Sequence, residues 1–167
     1  VLRRPPLGAV LATAHDMGRE HKIIAAVANP AVPVPQALAL CTDEAVNGAP
    51  FYVMNFVDGH VLEEPADVAS ILSEPAQRVA LSEAVVDALA ALHTADVDAI
   101  GLGDLARREA YLDRQLTRWR GQWEKSKTRE LPAMEDVYEA LLASKPEQRY
   151  TGVVHGDYRL GNMLARA

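Results

Sequence analysis

A short stretch near the end of the sequence, HGDYRLGN, contains three residue types that can carry out chemistry. His155 lies two residues before Asp157, and Asn162 follows five residues after it. An aspartate can accept a proton from an attacking hydroxyl, and an asparagine carbonyl can bind a hard cation such as Mg²⁺. Phosphoryl transfer requires both tasks to be performed close together. The pattern therefore favours phosphoryl transfer.

The same stretch allows two alternatives to phosphoryl transfer. Aspartate, asparagine and glycine are favoured in turns, so Asp157 and Asn162 could simply close the turn that ends a strand. A hydrolase could use Asp157 with His155, although the sequence has no nucleophile-elbow motif and its other histidines have no metal-ligand spacing with Cys41. A turn alone does not account for His155, which is better suited to a structural hydrogen bond than to proton transfer.

The elements that must position this loop are predicted to be mainly strands in the first part of the chain and mainly helices in the second. Residues 1–4 predict a short strand ended by two prolines, and residues 36–42 and 50–57 predict a hairpin. Hydrophobic periodicity then predicts three helices, near residues 76–95, 104–125 and 134–144. A last strand, TGVVHG, is predicted to lead into the loop.

This order of elements predicts an α+β fold with two lobes. The strands dominate residues 1–57, and the helices dominate residues 58–167. Trp119 and Trp123 lie on the apolar stripe of the second predicted helix, so we expect both to be core or lobe-packing residues.

A carboxylate lies on the inward face of another predicted helix. Asp16 is the candidate N-cap of this helix, and Met17, Ile24 and Val27 form its apolar stripe. Glu20 falls in the middle of the same stripe. Because leaving a buried charge unpaired costs about 3–5 kcal/mol, the sequence predicts a cationic partner for Glu20.

Composition and charge exclude several classes of function. The chain has 167 residues, a net charge of −6 and a pI near 5.3, which argues against a nucleic-acid-binding protein. Its one cysteine, Cys41, excludes an internal disulfide and suits the cytoplasm. Neither a signal peptide nor an apolar run of about 18 residues is present, so no membrane partner is expected. The start on a strand without a methionine predicts an internal piece of a longer protein.

The loop resembles the hallmark of the aminoglycoside phosphotransferase family, a group of kinase-like enzymes. The family loop, H-G-D-x-x-x-x-N, matches this chain at every fixed position. Other segments resemble the family in its own order: VLRRPPLG, HDMGREHKIIAAV, PVPQALALC, GAPFYVMNFVDG and ALHTADVDAIGLGDL. The residues of these segments are most similar to the subgroup found beside or fused to acyl-CoA dehydrogenases.

The resemblance implies a protein-kinase-like fold, present in part and truncated at both ends, with a small sheet-plus-helix N-lobe and a helical C-lobe. It implies that the γ-phosphate of ATP or GTP is transferred, with Mg²⁺, to a hydroxyl of a small molecule. Asp157 would then be the catalytic base, Asn162 would bind Mg²⁺, and His155 would brace the loop.

For the nucleotide, the resemblance implies that Arg3 replaces the strand lysine that holds the phosphates and that Arg3 pairs with Glu20. Alternation along the strand allows only one of Arg3 and Arg4 to face the cleft, and both assignments are open. The interlobe hinge, which would hydrogen-bond adenine through its backbone, would consist of Met54, Asn55, Phe56 and Val57.

Two family features have no counterpart in the sequence. These are the glycine-rich hairpin before VLRR and the second metal-binding aspartate after the catalytic loop. This predicts that the piece by itself is inactive, and it leaves a second interpretation open: a pseudokinase or fragment that binds nucleotide or a partner without chemistry. The acceptor and the oligomeric state are not predicted.

Overall fold

The computed structural model describes residues 1–6, 16–28 and 32–166 of an α+β chain. Three strands form one antiparallel sheet in the order β1-β3-β2: β1 (Leu2–Arg3), β2 (Ala37–Cys41) and β3 (Phe51–Met54). Six helices are described: α1 (Met17–Val27), α2 (Glu44–Asn47), α3 (Pro65–Ile71), α4 (Pro75–Thr94), α5 (Tyr111–Ser126) and α6 (Pro132–Ser144). None of the helices in these described ranges is long and apolar enough to cross a membrane.

The chain divides into two compact units. One unit contains residues 1–103 and 152–167, and the other contains residues 104–151. The predicted lobe boundary between residues 57 and 58 stays a prediction.

The sheet confirms the predicted strand at the start of the chain and the predicted hairpin. In the central strand β3, Tyr52 lies opposite Arg3 of β1 and opposite Leu40 of β2. The hairpin loop contains the one-turn helix α2, whose first turn is capped because the Asp43 side chain accepts a hydrogen bond from the Ala45 backbone at 2.9 Å.

Helix α1 begins where the sequence predicts. The Asp16 side chain accepts a hydrogen bond from the Arg19 backbone N–H at 2.9 Å, which satisfies one of the free donors of the first turn. Met17 and Val27, at the two ends of the predicted stripe, are buried. Glu20, between them, is half-buried.

Helix α5 begins later than predicted. The predicted start near residue 104 is wrong. Ala110 adopts a left-handed conformation with φ of 51°, and a right-handed helix cannot extend back through such a residue. The Gln148 side chain accepts a hydrogen bond from the Tyr111 N–H at 3.2 Å and donates to the Arg108 carbonyl at 2.6 Å. A side chain 37 residues away in sequence from Tyr111 thus bonds the backbone on both sides of this helix start.

The expectation that Trp119 is a core residue is also wrong. Its side chain is 61% exposed. Helices α5 and α6 pack on each other through Arg120, which lies 4.5 Å from the centroid of the Tyr138 ring and pairs with Glu135 at 2.7 Å. A layer of two helices can cover only one face of each, and Trp119 lies on an uncovered face.

The strand predicted at TGVVHG is absent, and Val154 is 71% exposed. In the part of the chain that the structure describes, no other strand lies beside this segment to complete a ladder. The segment instead approaches the end of α4: a Cβ atom placed on Gly152 would lie 2.8 Å from the His93 carbonyl oxygen.

The close approach of Gly152 to the His93 carbonyl predicts the effect of a substitution on stability. Gly152→Ala is expected to lower the free energy of unfolding by about 1–3 kcal/mol, because backbone must move to admit the methyl group. The matched control is Gly121→Ala in the interior of α5, where a Cβ atom would meet nothing within 4 Å. The control is expected to stabilise α5 by up to about 1 kcal/mol. Calorimetric unfolding measures both changes, and an unchanged Tm in Gly152→Ala would contradict the prediction.

A small apolar core supports the predicted catalytic loop. Leu62, Leu72 and Ala165 are buried together, and Leu160 is among the half-buried side chains packed against them. Leu160 and Ala165 stand on either side of Asn162 in sequence. The apolar core therefore anchors the chain on both sides of Asn162, the candidate metal ligand.

Candidate active site

The loop from His155 to Asn162 turns sharply at Gly156. Gly156 has a φ of 85°, a conformation that residues with a Cβ atom rarely adopt, which accounts for a glycine between the histidine and the aspartate. The Asp157 N–H donates to His155 Nδ1 at 3.4 Å. His155 is therefore placed to brace the turn.

Asp157 and Asn162 are in direct contact. The Asn162 amide nitrogen donates to the Asp157 backbone oxygen at 2.9 Å and to its carboxylate Oδ2 at 2.7 Å. The carboxylate is 71% exposed, and the Arg159 Nε atom lies 3.7 Å from its Oδ1. Because these bonds use the amide nitrogen, the Asn162 carbonyl oxygen is left to bind a cation.

Tyr158 anchors this loop to α4, a role that the motif alone did not indicate. Its hydroxyl donates to the Val85 carbonyl at 2.6 Å, and its ring meets the His155 ring edge-to-face at 5.2 Å. Burial raises the pKa of the Tyr158 hydroxyl above its ordinary value. The only signal in the sequence was an aromatic residue in an otherwise polar turn.

The chain beyond the loop is tied to the segment that follows the predicted hinge. His60 and Ala165 exchange two backbone hydrogen bonds, at 2.8 and 2.9 Å. The Arg166 Nε atom donates to the Asp58 carbonyl at 3.0 Å. The segment after the candidate loop and the segment after the predicted hinge are thus held together by two backbone hydrogen bonds and one from the Arg166 side chain.

The four residues of the predicted hinge differ in whether their backbone N–H and carbonyl groups already make hydrogen bonds. The Met54 N–H and carbonyl are both bonded to Val1, and the Asn55 N–H donates to the Gln36 carbonyl at 3.0 Å. The backbones of Phe56 and Val57 make no hydrogen bond with any residue that the structure describes. A nucleobase could pair with these two residues without displacing existing bonds.

Arg3 is the cation that the helical pattern demands for Glu20. The Arg3 Nε atom lies 2.9 Å from Glu20 Oε2, whereas the Arg4 Nη1 atom donates to the Asn47 carbonyl at 2.9 Å. Alternation along β1 separates the two arginines. The hydrogen bond with Glu20 raises the pKa of Arg3 above its ordinary value.

Tyr52 also contacts this ion pair and was not singled out from the sequence. Its hydroxyl lies 3.4 Å from Glu20 Oε2, the oxygen that Arg3 also contacts. Burial first, and then the Glu20 charge, raise the pKa of Tyr52. The structure thus groups Arg3, Glu20 and Tyr52 in one cluster and Asp157 and Asn162 in another. No hydrogen bond or ion pair between described residues joins the two clusters.

Comparison with known proteins decides the family. A profile of the phosphotransferase enzyme family matches residues 1–166. The chain belongs to this family. The phosphotransferase loop predicted from HGDYRLGN therefore lies in a chain of the corresponding fold.

Solved and curated relatives agree with this membership. A Ralstonia eutropha crystal structure, described as a candidate aminoglycoside phosphotransferase, is 39% identical with a TM-score of 0.77, over 89% of this chain and 45% of that one. Mouse acyl-CoA dehydrogenase family member 10 is 37% identical and human family member 11 is 33% identical, each over 98% of this chain. The chain spans 15% and 21% of these two relatives. The similarity confirms the predicted kinase-like α+β fold in partial form and the predicted subgroup.

Proposed function

We propose that this member of the phosphotransferase family transfers the γ-phosphate of ATP or GTP to a hydroxyl of a small molecule. The observation that carries the proposal is the contact between Asp157 and Asn162, which presents an exposed carboxylate beside a free amide carbonyl. In this reaction the acceptor oxygen bonds to the γ-phosphorus, the bond from that phosphorus to its bridging oxygen breaks, and Asp157 takes the acceptor proton.

The donor set at the loop fits Mg²⁺. This ion is commonly held by one or two protein oxygens together with substrate phosphates, and the side-chain carbonyl of Asn162 supplies one such oxygen while the Asp157 carboxylate remains the base. When bound, the ion would neutralise the charge of the phosphates. Asn162 also fixes the Asp157 carboxylate, so one side chain both orients the base and offers a ligand.

The nucleotide would lie along β1 and β3. Phe56 and Val57 would pair with the base, and Arg3 would hold the phosphates. Arg3 contacts Glu20 through Nε, so its two terminal nitrogens are not consumed by that carboxylate. A guanidinium can bind a phosphate through two parallel hydrogen bonds while a third N–H holds another partner.

An open groove beside the loop is a candidate acceptor site. It measures about 540 Å³, and its lining includes the apolar Pro65, Val68 and Leu160 together with Arg159. Glu63 and Glu64 line it as well. Apolar walls with one guanidinium and two carboxylates fit a hydroxylated acceptor that has both apolar and charged parts. An acyl thioester is one such acceptor, in keeping with relatives named as acyl-CoA dehydrogenase family members.

A second function is a binding module for nucleotide or a partner, without turnover. The observation that favours it is that Arg3 and Glu20 pair without any hydrogen bond or ion pair to Asp157 or Asn162 among the described residues, so the nucleotide contacts do not depend on the loop. Such a module would bind nucleotide but would not consume it.

The deciding experiment measures nucleotide consumption by the full-length protein. Hydroxylated acids, acyl thioesters and aminoglycosides are offered as acceptors with ATP or GTP and Mg²⁺, and the phosphorylated product is identified by mass spectrometry. Product formation that depends on Asp157 supports a phosphotransferase. Tight nucleotide binding without any product from these acceptors supports the binding module.

Substitutions of Arg3 test the nucleotide site separately. Arg3→Met is expected to weaken ATP binding by about 10-fold or more, because a charge-assisted contact with the phosphates is lost. Arg3→Lys is expected to recover only part of this affinity, since one ammonium must serve both Glu20 and the phosphates. Calorimetric titration of ATP and of adenosine measures both effects, and adenosine binding should be unchanged. Equal ATP affinity in all three proteins would contradict the assignment.

A further inference from the structure

Tyr52 is the most deeply buried large side chain among the residues that the structure describes. Its side chain is 1% exposed, and it lies on the central strand directly opposite Arg3. Opposed residues in an antiparallel pair project from the same face of the sheet, so the tyrosine and the arginine are neighbours on the face that carries Glu20.

The tyrosine hydroxyl and the arginine Nε atom converge on one oxygen of Glu20. Oε2 lies 2.9 Å from Arg3 Nε and 3.4 Å from the Tyr52 hydroxyl. Both contacts therefore depend on the position of one carboxylate oxygen. Helix α1 brings Glu20 to this position, whereas the sheet holds Tyr52 and Arg3.

Arg3 needs such a support because it is the most exposed member of the cluster. Its side chain is 51% exposed, while the side chain of Glu20 is 29% exposed. An exposed arginine samples many rotamers, and a single Nε contact does not by itself select one. A carboxylate held in place from the buried side restricts where the guanidinium can lie.

We propose that Tyr52 is a positioning residue for the phosphates of the nucleotide, acting through Glu20 on Arg3. This inference rests on the proposed function, in which Arg3 holds those phosphates. The buried hydroxyl orients Oε2 toward Arg3 Nε, and this leaves the terminal nitrogens of Arg3 directed at the ligand. Tyr52 itself does not touch the nucleotide.

The test compares ligands that do and do not carry phosphates. In the full-length protein, Tyr52→Phe is expected to weaken ATP binding by about threefold to tenfold, the effect of losing one hydrogen bond. Adenosine binding should be unchanged, because adenosine lacks the groups that Arg3 would hold. The matched control is Tyr150→Phe, which removes the hydroxyl of a tyrosine that is 89% exposed and should change neither affinity.

A double-substitution cycle shows whether Tyr52 acts through Arg3. In an Arg3→Met background, Tyr52→Phe should cause no further loss of ATP affinity, because the residue it positions is gone. A full additional loss, or an equal loss of adenosine affinity, would overturn the inference and show a general packing role. If Arg3→Met weakens ATP binding and Tyr52→Phe does not, the positioning role is wrong but the proposed function stands. If Arg3→Met has no effect, Arg3 does not hold the phosphates and the positioning role fails with it, whereas product formation that depends on Asp157 still tests the proposed transfer.

Discussion

Asp157→Asn is expected to lower kcat by about 10²–10⁴-fold while leaving the Kd for ATP nearly unchanged. The substitution removes the basicity of the side chain but keeps its shape and one acceptor oxygen. The Asn162 amide can therefore still donate to that oxygen and to the backbone carbonyl of residue 157. The loop geometry is retained, so a fall in kcat reports on proton acceptance rather than on folding.

The control for this substitution is Asp87→Asn on the exposed face of α4. It removes the same charge from the same compact unit, and kcat should remain at the wild-type level. Rapid-quench measurement of a single turnover separates the chemical step from product release. A variant Asp157→Asn with wild-type single-turnover rates would show that Asp157 is not the base.

Asn162→Asp is expected to lower kcat by about 10²-fold, although aspartate is a good ligand for magnesium. The amide nitrogen that donates to Asp157 Oδ2 at 2.7 Å would be replaced by a second carboxylate oxygen. Two carboxylates at this distance cannot both ionise easily, so one of them keeps a proton. The variant loses the hydrogen bond to the backbone oxygen of Asp157, and its contact with Oδ2 persists only while one carboxyl keeps its proton.

The pH dependence of this variant has a definite sign. Like-charge repulsion raises the pKa of one carboxyl of the pair above the ordinary range of aspartate. Because the base must be deprotonated to act, the acidic limb of the kcat profile should move to higher pH by about one unit or more. Part of the lost activity should therefore return as the pH rises.

A matched substitution distinguishes this effect from a general effect of charge. Asn47→Asp adds the same negative charge beside Arg4, whose Nη1 atom already contacts the Asn47 side chain at 3.4 Å. Its kcat profile should follow the wild type. An Asn162→Asp profile without any shift would show that residue 162 does not lie against the base in solution.

Local patterns in the sequence identified the residues that act within a few positions of one another. The cap of α1 by Asp16 involves a partner three residues away, and the contact of Asp157 with Asn162 spans five residues. Glu20 required a cation because its helical face was apolar, and Arg3 supplies it. The cap and the loop contact each lie within one local segment, and the need for a cation follows from the helical period, so residue type and spacing were sufficient to predict them.

The sequence by itself determined the α+β class, the HGDYRLGN motif shared with the phosphotransferase family and the need for a partner at Glu20. Only the tertiary structure decided that Arg3 rather than Arg4 meets Glu20, that Gln148 bonds the backbone at the start of α5, and that Trp119 is exposed. Tyr52 and Tyr158 likewise meet partners 32 and 73 residues away. Such contacts follow from how separate elements pack, and no periodicity within one element specifies its neighbour.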